Sequence, residues 1–215
     1  MKMRLAVAFA VGGVVACSSA TPAPVVTTSA VVPRSAVEQA RIDSMRLPYT
    51  AADIYFMTGM IPHHAQAVKI ARWVPTHGAA QNVKILAERI VVAQRDEIKL
   101  MQTWLSDRRQ PVPDSNATHM RMNMDGMQHD MLMPGMLTDD ELAQLDRARG
   151  NAFDRLFLTF MIRHHEGAIT MVEQLNKSPG AAADETVFRF STDVYADQTT
   201  EIERMGKMLE GLPPG

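Results

Sequence analysis

The chain has 215 residues, 46% of them hydrophobic, enough for one domain with a real core plus appendages. A net charge of -2 gives no basic footprint, which argues against nucleic acid as a partner. A single cysteine rules out an internal disulfide, so packing must hold the fold. Seventeen methionines against three tyrosines and two tryptophans is the compositional oddity; methionine fills irregular cores, and its thioether also accepts soft metals.

Lys2 and Arg4 precede an apolar run, Leu5 to Val15, too short to span a membrane, and Val14-Val15-Ala16-Cys17 follows. This pattern resembles a bacterial lipoprotein signal, residues 1–17, with Cys17 as the lipidated residue. Residues 18–34, rich in Ser, Thr, Ala, Pro and Val, read as a flexible tether. The folded domain is expected over 35–215, opening at a capping box, Ser35 to Glu38, on a short helix that ends before Pro48.

Thr50-Ala-Ala-Asp53 starts a helix running to about Val74, where Pro75 stops it. Its apolar stripe is Phe56/Met57, Met60, His63/His64, Ala67 and Ala71, so the histidines belong to the face that seeks the core. Pro62 lies inside this helix and should free the Thr58 carbonyl or kink the axis. His77, in the following turn, reads as a surface residue. A second helix, from roughly Ala80 to Asp107, carries the stripe Leu86, Ile90, Gln94, Glu97/Ile98, Met101 and Trp104/Leu105. Residues 108–137 form an inter-hairpin loop, marked by Asn116, Asp125-Gly126 and Pro134-Gly135. A third helix runs from the Thr138 to Glu141 capping box to about Asn176, with a break near Gly150. The fourth carries Phe190, Val194, Gln198, Glu201/Ile202, Met205 and Met208/Leu209.

The chain repeats itself. Asp53, Phe56, Met60, Ile61, His63, His64 and Ala67 recur 101 positions later as Asp154, Phe157, Met161, Ile162, His164, His165 and Ala168, with isoleucine again after each methionine. The stripes of the second and fourth helices repeat at an offset of 104, so a whole helical hairpin is duplicated and the three extra residues fall near Ser178-Pro179-Gly180. Two such hairpins pack as an all-α antiparallel four-helix bundle, whose sites are built from inward side chains on facing helices.

On a helix, Met60 lies one turn before His63 and His64, and Met161 one turn before His164 and His165. Each turn thus offers a thioether and two imidazoles, donors suited to copper and less selectively to zinc. Met57, Met101, Met171 and Met205 are further candidate thioethers, although Met101, Met171 and Met205 taken singly read as core fillers. Gln94 and Glu97 are expected to support one histidine pair, and Gln198 and Glu201 the other.

The paired Met-x-x-His-His segments, each followed by Gln-x-x-Glu-Ile-x-x-Met, resemble the domain-of-unknown-function family 305, which includes CopM-like copper-binding proteins of bacterial envelopes. The resemblance covers Thr50 to Leu209. It implies a ferritin-like four-helix bundle and binding of copper or silver, with ligand roles for Met60, His63, His64 and Met101, and for Met161, His164, His165 and Met205. Pro62 is replaced by Arg163 in the second copy, which makes the two halves unequal.

The connecting loop holds Met120, Met122, Met124, Met127, Met131, Met133 and Met136 with His119 and His129. A loop has no core to fill, and neutral thioethers can wrap Cu(I) or Ag(I) without deprotonation. The competing explanation is a hydrophobic flap or an oxidation sink.

The leading expectation is a non-enzymatic envelope lipoprotein, facing the periplasm or exterior, that binds Cu(I), Cu(II) or Ag(I), buffers it or passes it to a periplasmic copper-handling protein, and uses no organic cofactor. The rival is a structural or protein-interaction bundle with a buried His/Glu/Gln network. A third is an enzyme using bound copper for redox chemistry. No Glu-x-x-His motif occurs, which disfavours a di-iron carboxylate site, and His165-Glu166 lacks the second histidine of a zinc protease helix.

Overall fold

A computed structural model describes Ser35, Glu38 and residues 48–124 and 127–213, all within the compact unit Ser35–Gly215. The signal sequence, Cys17, the tether and most of the short helix before Pro48 lie outside the described residues; the Glu38 amide does donate to Ser35 Oγ (3.2 Å), as a capping residue requires.

Among the described residues the main elements are helices. Helix α1 spans Ala51–Ala71 and α2 Gln81–Asp107, joined through a 3-10 turn at Val74–Thr76; α3 is Asp139–Arg147, α4 Gly150–Asn176 and α5 Glu185–Glu210. Helices α1 and α2 pack as one hairpin, α4 and α5 as the other, and α1 lies against α4 to complete a four-helix bundle. The expected capping box at Thr138 forms and Thr50 makes another: Thr138 takes the Glu141 amide and Thr50 the Asp53 amide, with each acid returning to its cap residue. The expected break near Gly150 is real. Ala148 is extended and Gly150 has φ 58, a left-handed conformation that glycine adopts without a Cβ penalty. Pro62 is accommodated without ending α1, which stays helical on both sides of it.

The duplicated aspartates tie the two hairpins together, a role that repetition alone did not reveal. Asp53 on α1 accepts from the Ala182 amide (2.7 Å) in the turn of the second hairpin. Asp154 on α4 accepts from the Ala80 amide (3.0 Å) in the turn of the first. Each copy therefore grips the other copy's turn, and burial raises the Asp154 pKa, with the Ala80 bond opposing that shift.

Two expectations are corrected. The connecting segment is not all loop: Met120–Met124 (β1) and Met127–Met131 (β2) form an antiparallel hairpin. Its register pairs Met120 with Met131, Arg121 with Asp130, Met122 with His129 and Met124 with Met127. His77 is not a surface residue but 5% exposed. Its Nδ1 is 2.9 Å from the Trp73 carbonyl, its Nε2 lies 3.0 Å from the Asp146 carbonyl, and its ring packs on Phe153. Gly78 (φ 72) and the bond from the Gly150 amide to the His77 carbonyl fold this turn under α3 and α4.

Candidate metal centre

The core divides into two apolar clusters. One contains Phe56, Met57, Met60, Met101, Met171 and Phe190; the other contains Phe153, Phe157, Met161, Leu86, Ile90 and Met205. Duplicated methionines fall in opposite clusters, Met60 and Met101 in the first and Met161 and Met205 in the second, as a two-fold relation between the copies requires.

His63, His64, His164 and His165 are each 0% exposed. The His63 and His164 rings meet across the hairpin interface with centroids 3.8 Å apart, tilted by 38°. His64 and His165 flank them, their ring centroids 6.1 and 6.3 Å from His63 and His164 respectively. The expected glutamates are in place: Glu201 Oε2 is 2.7 Å from His165 Nε2, and Glu97 Oε2 is 2.7 Å from His64 Nε2. Those two contacts differ. The first is a hydrogen bond, whereas in the second the oxygen lies off the N–H direction and both atoms stay without a hydrogen-bond partner.

Nδ1 of His63, His64 and His165 makes no hydrogen bond, His64 Nε2 has only the misaligned Glu97 oxygen beside it, and the His164 ring keeps at least one unbonded nitrogen next to the His63 backbone. Gln94 and Gln198, buried in the same region, also carry unsatisfied amide atoms. A buried polar group without a partner costs about 1–3 kcal/mol. Burial, then the neighbouring His64, holds the His63 pKa down to about 3. Burial and the facing His63 ring push His164 the same way, well below the usual imidazole range. His63 and His164 are therefore neutral at ordinary pH, the form in which imidazole offers a lone pair.

A carboxylate rim lies above the rings. Glu97 and Glu201 are partly exposed, and Asp197 feels the charges of Glu97, Asp193 and Glu201 after its own desolvation, all of which raise its pKa. Glu97 and Glu201 thus stand between solvent and the outer rings of His64 and His165.

Among the described residues, no three His, Cys, Asp or Glu side chains are arranged to hold an ion by themselves. The imidazoles come in pairs, so an ion would need a thioether donor or a small ring rotation. Sequence reasoning missed one further participant, the strap Met133 to Leu137 that crosses the cluster. The Pro134 carbonyl is 3.0 Å from His63 Nε2, and Gln66 pairs with both backbone groups of Leu137 (2.9 and 2.7 Å). Arg163, which stands where the first copy has Pro62, binds Glu141 through both nitrogens (2.6 and 2.7 Å) and anchors α3 behind the strap.

The remaining candidates are dispersed. Met120, Met133 and Met136 are buried in the first cluster, Met122 packs against it, and His119 and Met131 are half-buried. Met127 and His129 are exposed. Of Met124 only the backbone pairing with Met127 is described.

Solved structures share this architecture. A DUF305 protein of Streptomyces coelicolor, inferred to be secreted, is 28% identical and superposes with a TM-score of 0.61, covering 76% of this chain and 96% of that one. A DUF305 fragment from Deinococcus radiodurans is 28% identical over 77% of this chain and 99% of its own, with a TM-score of 0.61. CopM in its Cu(I)-bound form is 27% identical over 76% and 97% of the two chains, with a TM-score of 0.56. CopM has also been solved with Cu(II) and with silver. Among curated sequences, an uncharacterized mimivirus protein, L153 of Acanthamoeba polyphaga mimivirus, is 33% identical over 57 residues, 26% of this chain and only 38% of the viral protein. The model of the domain of unknown function DUF305 matches residues 53–209, from the first interlocking aspartate to the end of the last helix, and the chain belongs to that family.

Proposed function

We propose that this chain is a non-enzymatic, envelope-anchored lipoprotein, held through Cys17, that binds copper or silver ions and buffers them or passes them to a partner. The observation that carries the reading is the fully buried imidazole layer with an unbonded nitrogen on each of its four rings. Imidazoles with Met60 and Met161 one helical turn before them, and with Met101 and Met205 buried in the same bundle core, are a donor set that fits Cu(I), Cu(II) and Ag(I). The residues fit such an ion chemically, with Glu97 and Glu201 orienting the outer rings and offsetting its charge. A structural neighbour supplies support: CopM, 27–28% identical to this chain, has been solved in Cu(I)-bound, Cu(II)-bound and silver-bound forms. Among the described residues no helix is long and apolar enough to cross a membrane.

A second reading is favoured by two bonds, His63 to Pro134 and His165 to Glu201, and by the pairwise arrangement of the rings. There the histidines are a structural polar network and the bundle docks a protein. Titration of the chain with Cu(I), Cu(II) and Ag(I) against a competing chelator separates the two. Metal binding predicts micromolar or tighter uptake that falls at least tenfold when His63, His64, His164 and His165 all become alanine. The network reading predicts melting that is independent of metal, and uptake no better than millimolar would end the copper proposal.

A further inference from the structure

The backbone register of the β-hairpin sorts its side chains into two chemically different faces. Directly opposed residues on an antiparallel pair project to the same side, and alternate residues to opposite sides. Met120 faces Met131 and Met122 faces His129, so thioethers and one imidazole share a face, to which Met127, two residues before His129, also belongs. Arg121 and Asp130 occupy the other face, where their side chains, both largely exposed, form an ion pair at 3.5 Å.

The donor face runs from solvent into the molecule. Met127 is 62% exposed and His129 is exposed, Met122 and Met131 are half-buried, and Met120 is 5% exposed. At the inner end Met120 Sδ and Met133 Sδ converge over Gly59 of α1. Each sulfur lies 3.3 Å from the position a Gly59 Cβ would take, a cradle that only the missing side chain leaves open. Gly59 is one helical turn before His63.

Simple apolar packing accounts for the buried end but not for the exposed one. A hydrophobic flap needs no methionine at 62% exposure and no histidine within its row. We propose that this face is a second binding site, a ladder of neutral sulfur donors with one imidazole, that takes soft monovalent cations of the Cu(I) and Ag(I) class independently of the buried histidine layer. It builds on the copper and silver reading above and adds selectivity. Opposed Cβ atoms on such a ribbon are about 4.5–5.5 Å apart, close enough for two thioethers to close on one ion. The row contains no carboxylate, and uncharged sulfur favours Cu(I) over Cu(II), whereas the imidazole layer serves either oxidation state.

The test uses the intact chain with methyl-13C methionine and Ag(I) or Cu(I) as probes. The methyl resonances of Met122, Met127 and Met131 should move with added Ag(I) and stay put with a diamagnetic hard ion such as Mg(II). The variant M122L/M127L/M131L with His129→Gln keeps the apolar shape and removes three thioethers and the imidazole, leaving only the buried Met120 end. It should lose at least tenfold in Ag(I) and Cu(I) affinity at this site and keep Cu(II) uptake. The variant with all four buried histidines changed to alanine should retain the hairpin methyl shifts. Parent resonances that ignore Ag(I), or a leucine variant matching the parent, would overturn the ladder while leaving the histidine reading intact. Hairpin shifts that persist when the histidine variant binds as well as the parent would instead remove the histidine reading and leave the ladder standing.

Discussion

Three glycines on helices of this bundle face three different neighbours, and alanine at each should give three different outcomes. Intrinsic helix propensity makes Gly to Ala favourable by about 1 kcal/mol at any helix interior position. Around Gly206 on α5 nothing lies within 4 Å of an added Cβ, so Gly206→Ala should keep that gain. At Gly59 the Cβ would sit 2.7 Å from Met133 Cε, the end of a flexible side chain that can swing away, and the net effect should be near zero. At Gly167 it would sit 1.9 Å from the Pro134 oxygen and 2.5 Å from its carbonyl carbon, which are backbone and cannot swing. The strap must lift. Overpacking of this kind costs about 1–3 kcal/mol, and losing the bond between Pro134 and His63 adds about 1 kcal/mol. Subtracting the propensity gain leaves Gly167→Ala destabilised by about 2 kcal/mol. For a domain of this size that lowers Tm by about 4–8 °C, while Gly206→Ala raises it by about 2–4 °C. Thermal melts of the three metal-free variants, followed by circular dichroism at 222 nm, decide the matter. If Gly167→Ala melts at or above the parent temperature, the strap is not seated on α4 and its role over the histidines is wrong.

Acid should weaken the metal-free chain through its histidines. His63 titrates near 6.5 when unfolded but only at about 3 when folded, so the unfolded state binds more protons between those values. Stability is therefore full above pH 6.5 and lost as pH falls through that window, by about 2 kcal/mol at pH 5 from His63 alone. His164 adds to the loss. Urea midpoints at pH 7.5 and pH 5 measure it, and an unchanged midpoint would contradict the burial of these rings. Asp184, fully buried, caps α5 through the Thr186 and Val187 amides, accepts from Trp104 Nε1 (3.1 Å) and pairs with Arg108. Asp184→Ala should cost about 3–5 kcal/mol in chemical denaturation; a loss under 1 kcal/mol would show the pair to be dispensable.

Much of this arrangement was legible in the residues because helices advertise themselves. Stripes at helical spacing, two capping boxes and a glycine break gave the bundle, and a repeat at constant offset gave its two-fold character. The glutamates opposite the histidines were legible for the same reason, since Glu97 and Glu201 lie on the inward stripes of α2 and α5. The hairpin was missed although its signals were present. Met120, Met122 and Met124 alternate with polar residues, as do Met127, His129 and Met131, and Asp-Gly between them is a strong hairpin turn pair. Methionine is not a typical strand former, and a run of it reads more readily as composition than as period. His77 was misplaced because turns usually lie at the surface, and only tertiary packing of α3 and α4 buries it. The strap could not have been foreseen: its seat depends on which carbonyl approaches which missing Cβ.

The departures between the two copies now make physical sense. A perfectly duplicated bundle would offer identical faces to a single connecting strap, yet one strap can cross in only one direction. Where it crosses, the copies differ. Gln66 pairs with Leu137 on α1, and its counterpart Gly167 makes room for Pro134 on α4. Pro62 has Arg163 as its counterpart, and Arg163 anchors the helix that follows the strap. The same asymmetry reaches the rings, for His63 faces the strap carbonyl of Pro134 while His164 lies against the His63 backbone. An ion arriving at this layer therefore meets two unlike halves. Engaging His63 through Nε2 would require the strap to move.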